Sequence, residues 1–330
     1  MTPMLRKLRH ELFSTPGDGV LSLGLLSLLV LALVGFLRWA FHQAEWAVIQ
    51  ANSTLFAVGR YPLDQQWRLW LLTTLLVGAA GLSWGLLRAH PRSDREGVLW
   101  PRNDRVAAAV VVVLALWLPF ALRLHPGIQA RWWGLAALLL ALRWLAGRHG
   151  RQLPYKLLRL VPLIWPATYI IGMVLISGGL GMAKVPPSEW GGLLLTLLAA
   201  SFAILLCFPL GVLLALGRRS ELPLLRWASV VYIEFIRGAP LITLLFLGQN
   251  ILGFLLPGGL APERIWRAAW VLTFFAAAYL AEAVRSGLAA VPAGQVEAAR
   301  SLGLSYPQAL QQVILPQALR VALPSMVGQF

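Results

Sequence analysis

Two pairs of ionisable residues stand inside apolar stretches of the chain. Glu234 and Arg237 are three positions apart, and so are Glu282 and Arg285. This spacing places both members of a pair on one face of a helix. A charge at the centre of a bilayer costs about 2.5–3.5 kcal/mol, so such residues usually face a bundle interior or a polar pathway. A position near the inner interface of a membrane fits equally well, because arginine can reach the headgroups from there.

A break in the helix is expected directly after Arg237. Gly238 and Pro240 follow it, and proline removes a backbone donor and disfavours helix at the residue before it. Irregular backbone at membrane depth is tolerated where it lines a cavity. Gln249 and Asn250 lie further along the same stretch. They either face that cavity or form hydrogen bonds to a neighbouring helix.

Catalytic and nucleotide-binding motifs are scarce. The sequence holds neither the G-x-x-x-x-G-K-[ST] phosphate loop nor the H-E-x-x-H zinc motif, and its five histidines are scattered. Residues 81–85 do read G-x-S-x-G, but a nucleophilic serine needs a strand-to-helix turn and this stretch is apolar. Gly81 and Gly85 therefore favour close helix packing, with an intramembrane serine enzyme built on Ser83 as the alternative. We predict no catalytic site and no metal site.

The composition excludes a soluble protein. Of the 330 residues, 58% are hydrophobic and 12% are charged, and the mean hydropathy is +0.72, whereas soluble domains carry about 25% charged residues. The formal net charge is +15. Because the basic residues lie between apolar runs, they indicate contact with anionic lipid headgroups and not with nucleic acid.

The apolar runs predict an all-α, polytopic membrane bundle of about eight transmembrane helices, because a span needs roughly 20 mostly apolar residues. The runs cover residues 20–41, 67–87, 106–124, 131–146, 158–180, 190–216, 228–256 and 266–286. With the N-terminus in the cytoplasm, nineteen lysines and arginines fall on the inner side and eight on the outer side. This distribution follows the positive-inside rule.

A polar segment after the last run is predicted to form two short helices. Pro292 can open the first helix, and Gly303 can end it. Ser305 and Gln308 fit a capping box for the second helix, which Pro316 is expected to limit. Three small or apolar side chains of the segment would be exposed: Ala298, Ala299 and Leu302. Such a patch indicates either a protein partner or a helix that lies on the lipid surface.

The same segment resembles the EAA motif of ABC-importer permeases, EAA-x3-G-x9-I-x-LP. The matching residues are Glu297, Ala298, Ala299, Gly303, Val313 and Pro316, with valine in place of the isoleucine. Residues 191–196 (GGLLLT), 232–241 (YIEFIRGAPL) and 297–330 are similar to the polar amino-acid branch of these permeases. The resemblance covers residues 190–330.

The N-terminal half carries a finer resemblance. Residues 46–52 (WAVIQAN) and 59–68 are similar to the M-type subunit of the general L-amino-acid permeases, which has extra N-terminal helices. The resemblance implies three parts of the chain. They are an N-terminal extension with about four transmembrane helices (1–157), a fifth helix with an outer loop (158–189), and an ABC importer type I permease core (190–330) with its EAA coupling segment (289–320).

The resemblance implies a permease subunit of an ATP-driven importer for polar or general L-amino acids, in the bacterial inner (plasma) membrane. The expected partners are a homodimeric cytoplasmic ATPase, a second permease subunit or an identical copy, an extracytoplasmic amino-acid-binding protein and the lipid bilayer. ATP would bind to the ATPase, and no cofactor is expected in this chain. The six EAA-motif residues would dock on the ATPase, with Glu297 and Gly303 as key positions.

Nine residues are predicted to line the translocation pathway: Thr196, Glu234, Arg237, Gly238, Pro240, Gln249, Asn250, Glu282 and Arg285. An ion-coupled secondary amino-acid carrier is the alternative function, and it would need no ATPase. A carrier of that kind predicts inverted halves with matching broken helices, whereas the sequence indicates a single break.

The resemblance departs from the family at the C-terminal end. An apolar run begins at Val321 and stops at Phe330, about half a span, whereas family members continue through two further core helices. Residues 190–330 would then hold three of the five core helices. We therefore expect a chain that ends at Phe330 to dock but not to transport.

Overall fold

The structure is a computed structural model, and it describes residues 12–89, 100–121, 124–251, 254 and 262–329. The described residues form helices and connecting turns without any strand, which confirms the all-α class. The α helices are α1 Pro16–His42, α2 Trp46–Ala51, α3 Ser53–Val58, α4 Trp67–Arg88, α5 Arg102–Ala121, α6 Pro126–His149, α7 Tyr155–Leu158, α8 Ile164–Ser177, α9 Gly192–Arg218, α10 Pro223–Gly238, α11 Leu241–Phe246, α12 Arg264–Ala289, α13 Ala293–Ser301, α14 Tyr306–Ala309 and α15 Leu315–Val327.

The chain divides into two compact units, Met1–Phe56 and Ala57–Phe330. In the described part of the first unit, α1 begins with a capping box between Thr15 and Asp18 and has no buried residue. The second unit holds the longer helices from α4 onward. The part boundaries predicted at residues 157 and 189 stay predictions.

Five helices among the described residues are long and apolar enough to cross a membrane: α1, α4 with its preceding turn, α5, α9 and α12. α10 and the segment Leu241–Ile251 pass the same test together. The remaining two of the eight predicted spans correspond to α6, which contains Arg131, Arg143 and Arg148, and to a shorter apolar helix over Val161–Ser177. A multi-pass membrane protein is therefore confirmed, and by length and composition the described residues hold five spans, or six if the bent pair forms one span.

The predicted break after Arg237 is present. α10 ends at Gly238, and Ala239 and Pro240 are both extended. The chain turns by 107° before α11 begins, as expected from a proline that cannot donate to the preceding turn. Within the described residues this is the single bent pair of apolar helices, so the matching second break of an inverted-repeat carrier is not seen there.

Small residues bring the helices of the C-terminal half close together. On the face of α9 that packs against α12, a Cβ at Gly211 would lie 2.5 Å from Leu280 Cδ2 and 3.0 Å from the Ala277 carbonyl oxygen. Where α12 meets α15, a Cβ at Gly287 would collide with the Ala318 carbonyl oxygen. These contacts follow the rule that small residues allow membrane helices to approach closely.

α4 and α6 pack in the same way, through the glycines of the G-x-S-x-G stretch. A Cβ at Gly85 would lie 2.5 Å from Ala146 Cβ and 2.6 Å from the Arg143 carbonyl oxygen. Ser83 is buried in the interior of α4 and not at a strand-to-helix turn. The packing interpretation is therefore the one that the structure supports.

Replacing Gly85 with alanine is expected to destabilise the protein by about 1–3 kcal/mol, because the added methyl group has no room between the helices. The control is Gly134→Ala on α6, where a Cβ would meet nothing within 4 Å and alanine favours helix. The midpoint of thermal unfolding in detergent measures both. Equal midpoints would contradict the close packing.

Arg143, the charge that interrupts the fourth predicted span, is fully buried. One of its nitrogens, Nη2, lies 2.5 Å from Asp104 Oδ2, and Arg88 Nη2 lies 3.3 Å from Asp104 Oδ1. The Arg143 guanidinium also stands over the rings of Trp84 and Trp100, at 5.4 and 4.4 Å from their centroids. The ion pair thus joins α4, α5 and α6 at one end.

Candidate functional site

A cleft of about 1170 Å³ lies beside α9 and α12. Three of the predicted pathway residues line it, namely Thr196, Gln249 and Asn250. Arg264 and Arg267, at the start of α12, line it as well. The rest of its described lining is apolar except for Gln329. The cleft is therefore an apolar cavity with a few polar groups, as binding sites for small molecules usually are.

Two polar residues of the cleft lie on the segment that follows α11. A π-helical turn over Leu247–Ile251 carries Gln249 and Asn250. Gln249 Nε2 donates to the Arg264 carbonyl oxygen at 2.7 Å, and Arg267 Nη1 donates to the Gln249 carbonyl oxygen at 2.8 Å. Gln249 thus combines both predicted roles, since it lines the cavity and bonds to a neighbouring helix. The Asn250 side chain instead donates to Phe246 in its own helix.

The electrostatics of the cleft favour an anionic or carboxylate-bearing ligand. Among its described lining residues the ionisable ones are Arg264 and Arg267, and no carboxylate is present. The amide groups of Gln249 and Asn250 add donors and acceptors. We did not predict the two arginines as site residues, although their spacing of three positions at the start of a span is the same signal that singled out the glutamate–arginine pairs.

A second group of charged residues lies at the opposite end of α12. We call it the Glu282 cluster, and it consists of Arg218, Glu234, Arg237, Glu282 and Arg285. The Arg218 nitrogens Nη1 and Nη2 lie 2.6 Å from Glu282 Oε1 and 3.0 Å from Glu234 Oε1. Arg285 Nε and Arg237 Nη1 approach Glu282 Oε2 at 3.0 and 3.8 Å. Glu282 thus connects α9, α10 and α12.

The nine predicted pathway residues therefore fall into three places. Thr196, Gln249 and Asn250 line the cleft, Gly238 and Pro240 form the bend, and the four charged residues belong to the Glu282 cluster. None of those four charged residues is among the described lining of the cleft. Arg218 was not predicted as a site residue, and its position at the end of α9 is the only signal for it in the sequence. Whether either place contacts a substrate stays a prediction.

The segment predicted to bind a partner is a short helix, α13, followed by a turn. Pro292 caps the helix, and Gly303 follows it with a φ of +73°, as predicted from glycine's freedom in that conformation. Glu297 and Ala298 are exposed, and Leu302 is 80% exposed. The prediction that Ala299 is exposed was wrong, because this residue packs into the core cluster of the C-terminal half.

The second helix of the segment begins as predicted but does not end at Pro316. Ser305 and Gln308 form the capping box. A π-helical turn over Leu310–Ile314 follows, and α15 then continues through Pro316. A π-turn changes the hydrogen-bond register, and Pro316 stands in the first turn of α15, where a missing N–H is tolerated. Val313 is half-buried against the core.

Gly303→Val is expected to weaken coupling to a partner, because a β-branched residue is strained at a φ of +73°. No atom lies within 4 Å of the position that a Cβ would take, so a loss would come from the backbone and not from a collision. Gly303→Asn is the control, since asparagine tolerates this conformation. The amount of the expected cytoplasmic partner that purifies with the tagged chain is the measurement, and equal losses in both variants would contradict the conformational explanation.

Comparison with known proteins relates the chain to a family of transport proteins. The family model described as "binding-protein-dependent transport system inner membrane component" matches residues 207–330. The glutamate/glutamine/aspartate/asparagine transport system permease protein BztC of Rhodobacter capsulatus is 38% identical over 301 residues, which cover 87% of this chain and 64% of that protein. The inner membrane amino-acid ABC transporter permease protein YhdY of Escherichia coli K12 is 32% identical over 336 residues, which cover 97% of this chain and 74% of that protein.

A solved structure is also similar in sequence over part of the chain. It is a crystal structure of an amino acid ABC transporter with histidines, 35% identical, with a TM-score of 0.38 and coverage of 42% of this chain and 63% of that one. The chain spans about two thirds to three quarters of the length of the two long relatives. The similarity to YhdY extends over almost all of the chain, including its N-terminal half. The chain therefore belongs to the family of binding-protein-dependent transport system inner membrane components, among the amino-acid ABC transporter permeases.

Proposed function

We propose that this chain is the membrane-spanning permease subunit of an ATP-driven importer for polar L-amino acids in the bacterial inner membrane. The observation that carries the proposal is the course of α12. This helix begins with Arg264 and Arg267 at the cleft, passes the Glu282 cluster, and ends three residues before α13. A single rigid element thus connects a cavity for a small polar molecule with an exposed docking helix.

The cleft fits an amino acid whose side chain is acidic or carries an amide. Two arginines can pair with carboxylates, and Gln249 and Asn250 can bond to an amide. The name of the relative BztC includes glutamate, glutamine, aspartate and asparagine, which agrees with this lining. The positive side chain of a cationic amino acid would be repelled by the two arginines. The described lining of the cleft holds no carboxylate that could pair with it.

The proposed partners follow from what the chain exposes and from what it lacks. The sequence has no nucleotide loop, so the energy would come from a homodimeric ATPase that docks on α13. Leu302 and Tyr306 are 80% and 63% exposed, and exposed apolar and aromatic side chains are typical of partner surfaces. A second permease or an identical copy would close the open side of the cleft, and an extracytoplasmic binding protein would deliver the amino acid.

Replacing Arg264 with alanine tests the substrate class. We expect the affinity of the purified transporter for L-glutamate, measured without the binding protein, to fall about tenfold, the effect of one hydrogen bond to a charged group. Arg219→Ala is the matched control, since Arg219 is exposed at the far end of α9. Binding of radiolabelled glutamate to the whole transporter in detergent is the measurement. An unchanged affinity in the Arg264 variant would contradict recognition in this cleft.

A further inference from the structure

The cleft contains two side-chain amides whose orientation is fixed by hydrogen bonds within the protein. Gln249 Nε2 donates to the Arg264 carbonyl oxygen at 2.7 Å, and Asn250 Nδ2 donates to the Phe246 carbonyl oxygen at 3.0 Å. A carbonyl oxygen can only accept, so the amide atom that faces it must be the nitrogen. The position of each amide oxygen, which is ambiguous for an amide without such a partner, is therefore determined.

The two amide oxygens are free to accept hydrogen bonds from a ligand. Within the described residues, neither Gln249 Oε1 nor Asn250 Oδ1 accepts a hydrogen bond, whereas each amide nitrogen already donates one. Asn250 is exposed, Gln249 is half-buried, and both line the cleft. Each oxygen has two lone pairs, so the largest unused bonding capacity of these amides is for donors such as N–H groups.

Arg264 supplies a free cation next to these acceptors. Its carbonyl oxygen holds Gln249, while its guanidinium forms no hydrogen bond or ion pair within the described residues and is exposed in the lining. Arg267 differs, because its Nε and Nη1 donate to the carbonyl oxygens of Pro262 and Gln249 at 2.7 and 2.8 Å. Arg264 is therefore the arginine with all its donors available to a carboxylate.

The π-helical turn that carries both amides is fixed against α12. Gly248 is buried in this turn, and a Cβ at its position would collide with the Val271 side chain. The bond from Arg267 to the Gln249 carbonyl oxygen ties the same turn to α12 a second time. π-turns are frequent at functional sites. The two amides and Arg264 are thus held next to one another by the backbone, without a ligand.

An amino acid carries an ammonium and a carboxylate on one carbon atom, and the ammonium needs acceptors once it leaves water. The described lining of the cleft offers no carboxylate for it. Besides the two amides, the side-chain acceptors of that lining are the Thr196 hydroxyl, which donates within α9, and the amide of Gln329. Gln249 is the acceptor that contacts Arg264 directly, so acceptor and cation are neighbours, as the two groups of an amino acid require.

On the basis of the proposed function, we propose that the side-chain oxygens of Gln249 and Asn250 bind the α-ammonium group of the transported amino acid, while its α-carboxylate pairs with Arg264. The fixed amide orientation, the free oxygens and the adjacent free guanidinium together carry the assignment. The cleft would then recognise the two groups that all α-amino acids share. A dicarboxylate without an ammonium group would leave both amide oxygens without a donor.

Glutarate tests the proposal, because it is glutamate without the ammonium group. The full-length gene product is purified in detergent with its subunits, and binding of radiolabelled L-glutamate and glutarate is measured without the binding protein. We expect glutamate to bind about tenfold more tightly than glutarate, as hydrogen bonds to a charged group would favour. Asn250→Leu should reduce this preference to about threefold or less, and the double variant with Gln249→Met should abolish it. A general loss of structure would weaken both ligands alike, so the ratio of the two affinities reports on the ammonium.

Asn52→Leu is the matched control, because the Asn52 amide makes the same kind of bond, to the Val48 carbonyl oxygen four positions earlier at 2.9 Å. It should leave the preference unchanged, and Asn250→Asp, which keeps an acceptor oxygen, should retain it. Arg264→Ala should weaken glutamate and glutarate alike.

The outcomes separate this inference from the proposed function. An unchanged preference in Asn250→Leu and in the double variant, with both ligands still weakened by Arg264→Ala, would overturn the role of the amides alone. If glutamate does not bind, the proposed substrate class is wrong, and glutamine with its analogue that lacks the ammonium group serves for the same comparison. Binding of neither amino acid would overturn both.

Discussion

Glu282→Gln is expected to lower amino-acid uptake at least thirtyfold while the protein still inserts into the membrane. The Glu282 carboxylate is 17% exposed and approaches Arg218, Arg285 and Arg237. Without its charge, three guanidinium groups face one another with Glu234 as the remaining carboxylate of the cluster. Loss of one partner from a partly buried ion network typically costs a few kcal/mol, although solvent at the exposed arginines reduces this. α9, α10 and α12 should then lose their fixed arrangement at this end.

Uptake by cells and the thermal midpoint of the purified protein measure the consequence together. Glu221→Gln is the matched control, since Glu221 is an exposed carboxylate in the turn between α9 and α10. Glu282→Asp, which keeps the negative charge beside Arg218, should retain more uptake than Glu282→Gln. Full uptake in the single Glu282 variant would show that the cluster has no role in transport.

Glu297→Lys is expected to remove the ATPase from the purified complex and to reduce uptake at least thirtyfold. Glu297 is exposed on α13, so the substitution disturbs no packing within this chain. In the proposed complex, a reversed charge at the centre of α13 would turn an attraction between Glu297 and the ATPase into a repulsion, an effect of the size found at interface hot spots. The amount of ATPase that purifies with the tagged chain is the measurement.

Glu221→Lys supplies the control for this prediction, because it makes the same change of charge at another exposed site near the end of α9. The Glu297 variant should keep the thermal midpoint of the unmodified protein. Retention of the ATPase together with normal uptake would rule out α13 as the docking element.

Features that depend on local chemistry could be predicted from the sequence. The bend after Gly238, the helix end at Gly303 and the capping box at Ser305 each follow from the conformational limits of a few neighbouring residues. The close approach of α4 and α6 follows from Gly81 and Gly85 for a related reason, since only small residues permit it.

Features that depend on the rotation and placement of whole helices could not be predicted. Ala299 is buried because it lies on the face of α13 that packs against the C-terminal core. A short motif does not reveal which face of the helix that is. Arg218 and Arg267 are distant in sequence from the residues that they contact, Glu282 and Gln249. Their partners become apparent only after α9, α11 and α12 have been assembled.

The predicted pathway residues fall into separate places because their positions, too, depend on how whole helices are placed. Gln249 and Glu282 both lie in apolar stretches of the sequence, and nothing in their immediate neighbours distinguishes their roles. In the structure, α12 places the partners of Gln249 at its beginning and Glu282 near its end. Cleft and ion cluster are therefore two sites on one helix.

The most direct test of the proposed function is whether glutamate accumulation depends on ATP or on an ion gradient. The full-length gene product is reconstituted in vesicles with the subunits that purify with it, with the binding protein and radiolabelled L-glutamate outside and ATP inside. We expect accumulation of glutamate that requires internal ATP and continues when ionophores abolish the proton and sodium gradients. Accumulation that needs an ion gradient and proceeds without ATP would contradict the proposal and would favour an ion-coupled carrier.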